Sequence, residues 1–198
     1  MSLAKAGLVV TIIGVLIGAA AFANDVINNK KPPLLFSGKN DRFTCELRPY
    51  SEEGEIWTVV YHNDKEVQPW LRMVNTFGDE WNTPKRCGEI ESRLENYRQD
   101  GLVEFSYRDD PTTPSQSVIC AKTKLSGDNC PLLVTLDVGV DPYKSLSKMI
   151  EALENKNTVD QNSNGEPSTS LLSPASPSVH LGNFLADEDL KAGETAKK

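Results

Sequence analysis

The stretch Trp81-Asn-Thr-Pro-Lys-Arg-Cys-Gly-Glu-Ile-Glu-Ser-Arg-Leu-Glu-Asn-Tyr97 reads as the best helix in the chain. Thr83 is a natural N-cap, and Pro84 suits the first helical turn, where its missing N–H has no helical partner. Cys87, Ile90, Leu94 and Tyr97 recur at spacings of three, four and three, which places them on one side. Glu89, Glu91, Ser92, Arg93, Glu95 and Asn96 fall between them and read as the solvated face. The helix therefore lies on an apolar surface and carries a cysteine toward it.

Working outward, the flanks alternate. Arg42 to Arg48 places Phe43, Cys45 and Leu47 on one face of a strand, and Glu55 to His62 is rich in β-branched and aromatic residues. Glu66 to Val74 reads as a third strand, with Pro69 placing it near an edge or a bulge. Gly101 ends the helix, and Leu102 to Tyr107 resumes as a strand. Ser117–Lys124 and Pro131–Val138 flank Ser126-Gly-Asp-Asn129, a hairpin signal. Asp141-Pro142 opens a second helix whose stripe is Leu146, Met149, Ile150 and Leu153. About six strands and two helices, in blocks rather than in strict alternation, predict an α+β domain built on one antiparallel sheet, spanning 42–155.

The ends read differently. Residues 1–23 form an apolar leader with Lys5 ahead of it and Ala21-Phe22-Ala23 at its end, a cleavage-like pattern. The uncharged span from Ala6 to Asn24 also reaches the length of a membrane-spanning helix, so a cleaved signal peptide and a retained anchor both fit. Either one exports the remainder. Residues 24–41, with Pro32-Pro33, read as a linker. Residues 156–198 have the Asn/Ser/Pro composition of a disordered tail. One island, 179–190, interrupts it: Phe184, Leu185 and neighbouring apolar residues beside acidic ones fit either a recognition segment that folds on binding or apolar residues scattered in a tail without a role.

The chain has 198 residues and a formal net charge of −7, with no basic patch, which argues against nucleic-acid binding. Four cysteines, Cys45, Cys87, Cys120 and Cys130, contain no C-x-x-C pair, and only His62 and His180 are available beside them, which argues against zinc. An even count behind an apolar leader predicts two disulfides formed in an oxidising compartment. The predicted hairpin brings Cys120 and Cys130 together and leaves Cys45 for Cys87. Three pairings exist, and sequence alone does not choose among them.

Chemistry-bearing constellations are sparse. Asp79-Glu80 and Asp109-Asp110 lack the spaced oxygens and central glycine of a calcium loop. No Gly-rich phosphate loop and no G-x-S-x-G occur, and His62 stands alone in the module. Lys85-Arg86, at the helix start, could receive an anion or be plain solvated charges. Trp57, Trp70 and Trp81 could present rings to a sugar or a protein, or could pack into the core. Of these, Trp70 is the best structural anchor.

Phe43-Thr-Cys45, Trp57-Thr-Val59, Pro69-Trp70, Thr83-Pro84-Lys-Arg86-Cys87, Val118-Ile-Cys120, and Cys130 followed by Leu132-Leu-Val-Thr-Leu136, resemble the circadian oscillating polypeptide family of cyanobacteria. The resemblance covers about residues 42 to 154, with all four cysteines at family-like positions, and the leader also looks like the family's. It implies a cyanobacterial source and a place at the membrane, in the thylakoid lumen or periplasm. It supplies no catalytic residue and no cofactor, and it leaves the tail as an addition. The expectation is a non-enzymatic, disulfide-stapled module that binds a protein partner at a membrane, as an accessory subunit or assembly factor. A small-ligand or glycan module using Trp57, Trp70 or Trp81 is the alternative, and an exported hydrolase using His62 is a third reading.

Overall fold

The structure, a computed structural model, describes residues 41–51, 54–63, 65–76, 81–113, 115–166 and 178–193. The leader, almost all of the predicted linker, and Asp79-Glu80 lie outside these residues. Six strands and two long helices occur close to their predicted positions. They are β1 (Phe43–Pro49), β2 (Glu55–His62), β3 (Val67–Arg72), α1 (Thr83–Gln99), β4 (Leu102–Asp109), β5 (Ser117–Thr123), β6 (Leu132–Thr135) and α2 (Pro142–Glu154). Three short elements follow: β7 (Val159–Asp160), β8 (Ser178–His180) and α3 (Asp187–Leu190).

The expected single sheet of about six strands is two sheets of four strands each, in the orders β1-β2-β3-β7 and β6-β5-β4-β8. The physical reason is α1. Its 17 residues extend about 25 Å, and it runs beside β1 instead of letting β4 continue the first sheet. Pairing is antiparallel throughout except for β3 with β7, where Leu71 and Arg72 meet Val159 and Asp160 in parallel.

The helix α1 closes one edge of each sheet. The outward N–H groups of β1 end on its carboxylates: Phe43 N donates to Glu95 Oε1 at 2.7 Å and Cys45 N donates to Glu91 Oε2 at 3.1 Å. A step of four residues along a helix rises about 6.0 Å and a step of two along a strand about 6.6 Å, so the two ladders match. On its other flank α1 donates to the carbonyls of β6. Arg93 Nη1 reaches Leu133 O at 3.0 Å, Tyr97 Oη reaches Leu132 O at 2.7 Å, and Arg86 Nη2 reaches Thr135 O at 3.3 Å. Two expectations are corrected here. Glu95 is buried rather than solvated, because it satisfies otherwise orphaned N–H groups. The N-cap is Asn82, whose Oδ1 accepts from Lys85 N, and Thr83 is the first helical residue.

The core lies between the sheets. Cys87, Ile90 and Leu94 enter it from α1, and Leu146, Met149 and Ile150 enter from α2. Trp70 is fully buried at the junction of three elements: its ring stacks on Phe105 with centroids 5.8 Å apart, and its Nε1 donates to Met149 O at 2.9 Å. The disulfides are Cys45–Cys87 and Cys120–Cys130, the pairing favoured by the hairpin reading.

The tail after residue 155 is corrected where it is described. Residues 156–166 carry β7, and residues 178–193 carry β8 and α3, both in contact with the domain. Val179 and Leu181 are buried in the core cluster, so the island 179–190 is folded on its own domain. Two glycines permit this close approach. A Cβ on Gly101 would lie 2.5 Å from Ala192 O, and one on Gly193 would lie 2.6 Å from Asp100 O. Both also sit at positive φ, where other residues are strained.

Candidate interaction groove

A groove of about 840 Å³ lies among the β2–β3 turn, the end of α2 and the folded-back C-terminal segment. Asn63, Lys65, Glu66 and Gln68, from the β2–β3 turn and the start of β3, form one wall. Leu153 and Glu154, at the end of α2, lie between the walls. The segment from Ser178 to Glu188 forms the opposite wall, with Phe184 and Leu185 at its base.

Local chemistry holds each wall. Asn63 Oδ1 accepts from the backbone N–H groups of Lys65 and Glu66, both at 2.9 Å, and this fixes the turn. Gln68 Nε2 donates to Leu153 O at 3.1 Å, which ties β3 to the end of α2. Lys156 and Glu66 pair at 2.6 Å across the groove's rim, an exposed contact that contributes little to stability. On the opposite wall, Leu181 N donates to Val103 O and extends the β8 ladder by one residue.

The second wall is anchored by a buried polar cluster. Asp189 is only 2% exposed. It accepts from Tyr61 Oη at 2.6 Å and from Arg98 Nη1 at 3.0 Å, with Arg42 Nε at 3.8 Å. Tyr61 Oη in turn accepts from Ala186 N at 2.9 Å. Glu95 completes the cluster, taking Arg98 on its two oxygens and the backbone N–H groups of Arg42 and Phe43. Burial, with the Asp189 carboxylate beside it, holds the Tyr61 phenol above its ordinary range. Burial opposes the charge of Arg98, but Glu95 and Asp189 outweigh it and raise the guanidinium further. A buried ion pair that is fully hydrogen-bonded is costly to break from one side. Thus α1, β2 and α3 are locked together at this point.

The predicted partner residues fall in different places. Phe184 and Leu185 line the groove and rest on the core. Trp70 is buried and reaches no surface. Trp57 is half-buried against the core. Trp81 lines a separate cleft of about 260 Å³ with Glu89, Arg93 and Asp110, and Lys85 Nζ sits 4.4 Å over its ring. The anion reading of Lys85-Arg86 is corrected: Arg86 is buried and donates to Asn75 O and Thr135 O, so it serves the fold. Asp110 closes its own turn, accepting from the backbone N–H and hydroxyl of Thr112. Among the described residues no cluster of metal ligands occurs, and no helix is long and apolar enough to cross a membrane.

His62 does meet a hydroxyl and a carboxylate, but on one nitrogen. Its Nε2 lies 2.8 Å from both Thr44 Oγ1 and Glu46 Oε1. A relay needs the hydroxyl on one ring nitrogen and the orienting carboxylate on the other. This arrangement therefore does not activate Thr44. Glu46 is held below the usual carboxylate range: burial raises it, but hydrogen bonds from Thr44 and His62 and the nearby Arg48 outweigh that.

Sequence reasoning missed Asn63, Gln68 and Glu154, whereas Asn183, Asp187 and Glu188 fall inside the island 179–190 that it singles out. The signal for the second wall was the apolar island, set in a composition that pointed to disorder.

Residues 42–186 match the family described as circadian oscillating protein COP23. The chain belongs to this family. The match reaches beyond α2 through β7 and β8 to Ala186, so the family unit takes in most of the groove's second wall. The tail up to that residue is therefore part of the family unit and not an addition to it. No match is found among curated proteins or among solved structures.

Proposed function

We propose that this chain is an exported, membrane-associated protein-interaction module without a catalytic role, an accessory subunit or assembly factor, and that its groove receives a segment of the partner. One observation carries the reading. The groove runs between two strand margins, the start of β3 and the whole of β8, and both lie within the residues that match the family. Strand margins offer main-chain donors and acceptors, which is the recurrent basis of segment recognition. The two disulfides fit an oxidising compartment, and the apolar leader fits export to one.

The test is a pull-down of the C-terminally tagged chain from detergent-solubilised native membranes, with companions identified by mass spectrometry. The expected result is a stoichiometric companion that Glu154→Lys/Glu188→Lys weakens or loses. Both residues are exposed, so the variant keeps the fold. A pull-down that returns only the chain itself contradicts the reading.

The small-ligand alternative rests on Trp81 alone, since Trp70 is buried and Trp57 is packed. Quenching of Trp81 fluorescence by peptidoglycan fragments would favour it.

A further inference from the structure

Resting on the interaction reading above, we propose that the occupant of the groove is one extended, positively charged peptide segment, added as a new strand along the outer edge of β8. Three features of the groove lead to this occupant.

The first is an open ladder. Among the described residues β8 has β4 on one side and no strand on the other. Leu181 N donates to Val103 O, and antiparallel ladders alternate, so Val179 bonds to β4 while Ser178 and His180 turn their N–H and C=O groups outward. Outward groups two residues apart are what an added strand engages. The three residues of β8 span roughly 10 Å, which suits a short segment.

The second is a floor of the right kind. Leu153, Phe184 and Leu185 are half-buried and apolar at the base of the groove. Successive side chains of a strand point to opposite faces, so alternate residues of the segment would stand on this floor. The third is charge. Glu66 is paired with Lys156. Among the described lining residues that leaves the carboxylates of Glu154, Asp187 and Glu188 against the ammonium of Lys65 and the imidazole of His180, which faces Glu104 at 3.7 Å. A concave surface with excess carboxylates concentrates cationic partners and disfavours anionic ones.

The experiment uses the full exported chain with both disulfides formed, and fluorescein-labelled ten-residue peptides followed by anisotropy. One peptide alternates Val and Lys, one alternates Val and Glu, and two carry N-methyl groups on the Val–Lys sequence in the two alternate registers. The Val–Lys peptide should bind saturably, about tenfold more tightly than the Val–Glu peptide, and lose affinity as salt rises and the screening length shrinks. One N-methyl register should abolish binding and the other should preserve it, because only alternate N–H groups face β8. Glu188→Lys should weaken binding roughly fivefold, whereas Glu55→Lys, exposed on β2 outside the groove, should leave it unchanged.

Equal binding of the Val–Glu peptide, survival of binding in both N-methyl registers, equal effects of Glu188→Lys and Glu55→Lys, or no binding by any peptide would each overturn the inference. The pull-down separates the two levels. A companion retained from membranes without peptide binding removes this occupant and leaves the interaction reading in place. An empty pull-down removes both.

Discussion

Replacing Asp189 should unlatch the groove's second wall. In the native domain its carboxylate takes the Tyr61 phenol at 2.6 Å and Arg98 at 3.0 Å. Asp189→Ala leaves the buried Tyr61 Oη–H without its acceptor and takes one of two carboxylates from Arg98. Removing one side of a buried pair costs about 3–5 kcal/mol. Arg98 keeps Glu95, with Nη2–Oε2 at 2.7 Å, so the lower end, about 3 kcal/mol, applies. For a domain of this size that corresponds to a fall of about 6–12 °C in Tm. Asp189→Asn should cost less than Asp189→Ala, since its one amide oxygen can still accept from Tyr61, but it loses both the charge and the acceptor that Arg98 uses, because the two donors sit on different carboxylate oxygens. Urea denaturation of both variants and of Tyr61→Phe gives the numbers, and a double-mutant cycle between positions 61 and 189 should return at least about 1 kcal/mol of coupling. Hydrogen exchange should show the amides of 178–190 losing protection first. A change below about 1 kcal/mol for Asp189→Ala, with the tail amides still protected, would refute the reasoning.

Other outcomes follow from the same contacts. Burial pushes the Glu91 carboxyl up to about 7, with Asp41, Glu95 and Glu46 nearby adding to the shift and the Cys45 N–H opposing it. The native state therefore binds this proton more tightly than the unfolded chain does. Stability should fall as pH rises from about 4.5 to about 7, by an amount on the order of 1–2 kcal/mol after allowing for partial exposure. Glu91→Gln should flatten that slope in melts across the range. Opening the Cys45–Cys87 disulfide, which spans 42 residues, should cost about 4 kcal/mol, and opening Cys120–Cys130, which spans 10, about 3 kcal/mol on the chain-entropy account. Cys→Ala pairs followed by denaturant titration measure both. Gly193→Ala, which would set a Cβ 2.6 Å from Asp100 O at positive φ, should cost at least about 1 kcal/mol and speed proteolysis of the C-terminal segment.

The elements with strong periodicity were legible. Helices α1 and α2 and strands β1 to β5 carry stripes or alternation long enough to read, and the hairpin signal at 126–129 brought Cys120 and Cys130 together. What failed was pairing at a distance. Strands β7 and β8 hold two and three residues, too few for any alternation to register, and they sit in a composition that pointed to disorder. Glu95 looked solvated because a carboxylate between apolar positions usually is. Its burial follows from the unpaired N–H groups of β1, which local sequence does not display. Phe184 and Leu185 were singled out as partner-facing, and they do line the groove. Among the tryptophans the structural reading holds for Trp70, the expected anchor, which packs between both sheets and α2 because large rings serve cores. The groove's acidic side was illegible because Glu154, Asp187 and Glu188 converge only after the tail folds back.

The most direct test of the groove as an interaction site is site-specific photo-cross-linking in native membranes. A benzophenone side chain is placed at Asn183, exposed within the groove, and, in a parallel chain, at Val138, which is 68% exposed outside it. The account predicts a discrete adduct with one other protein from position 183 and none from position 138. No adduct from position 183, or the same adducts from both positions, would contradict it.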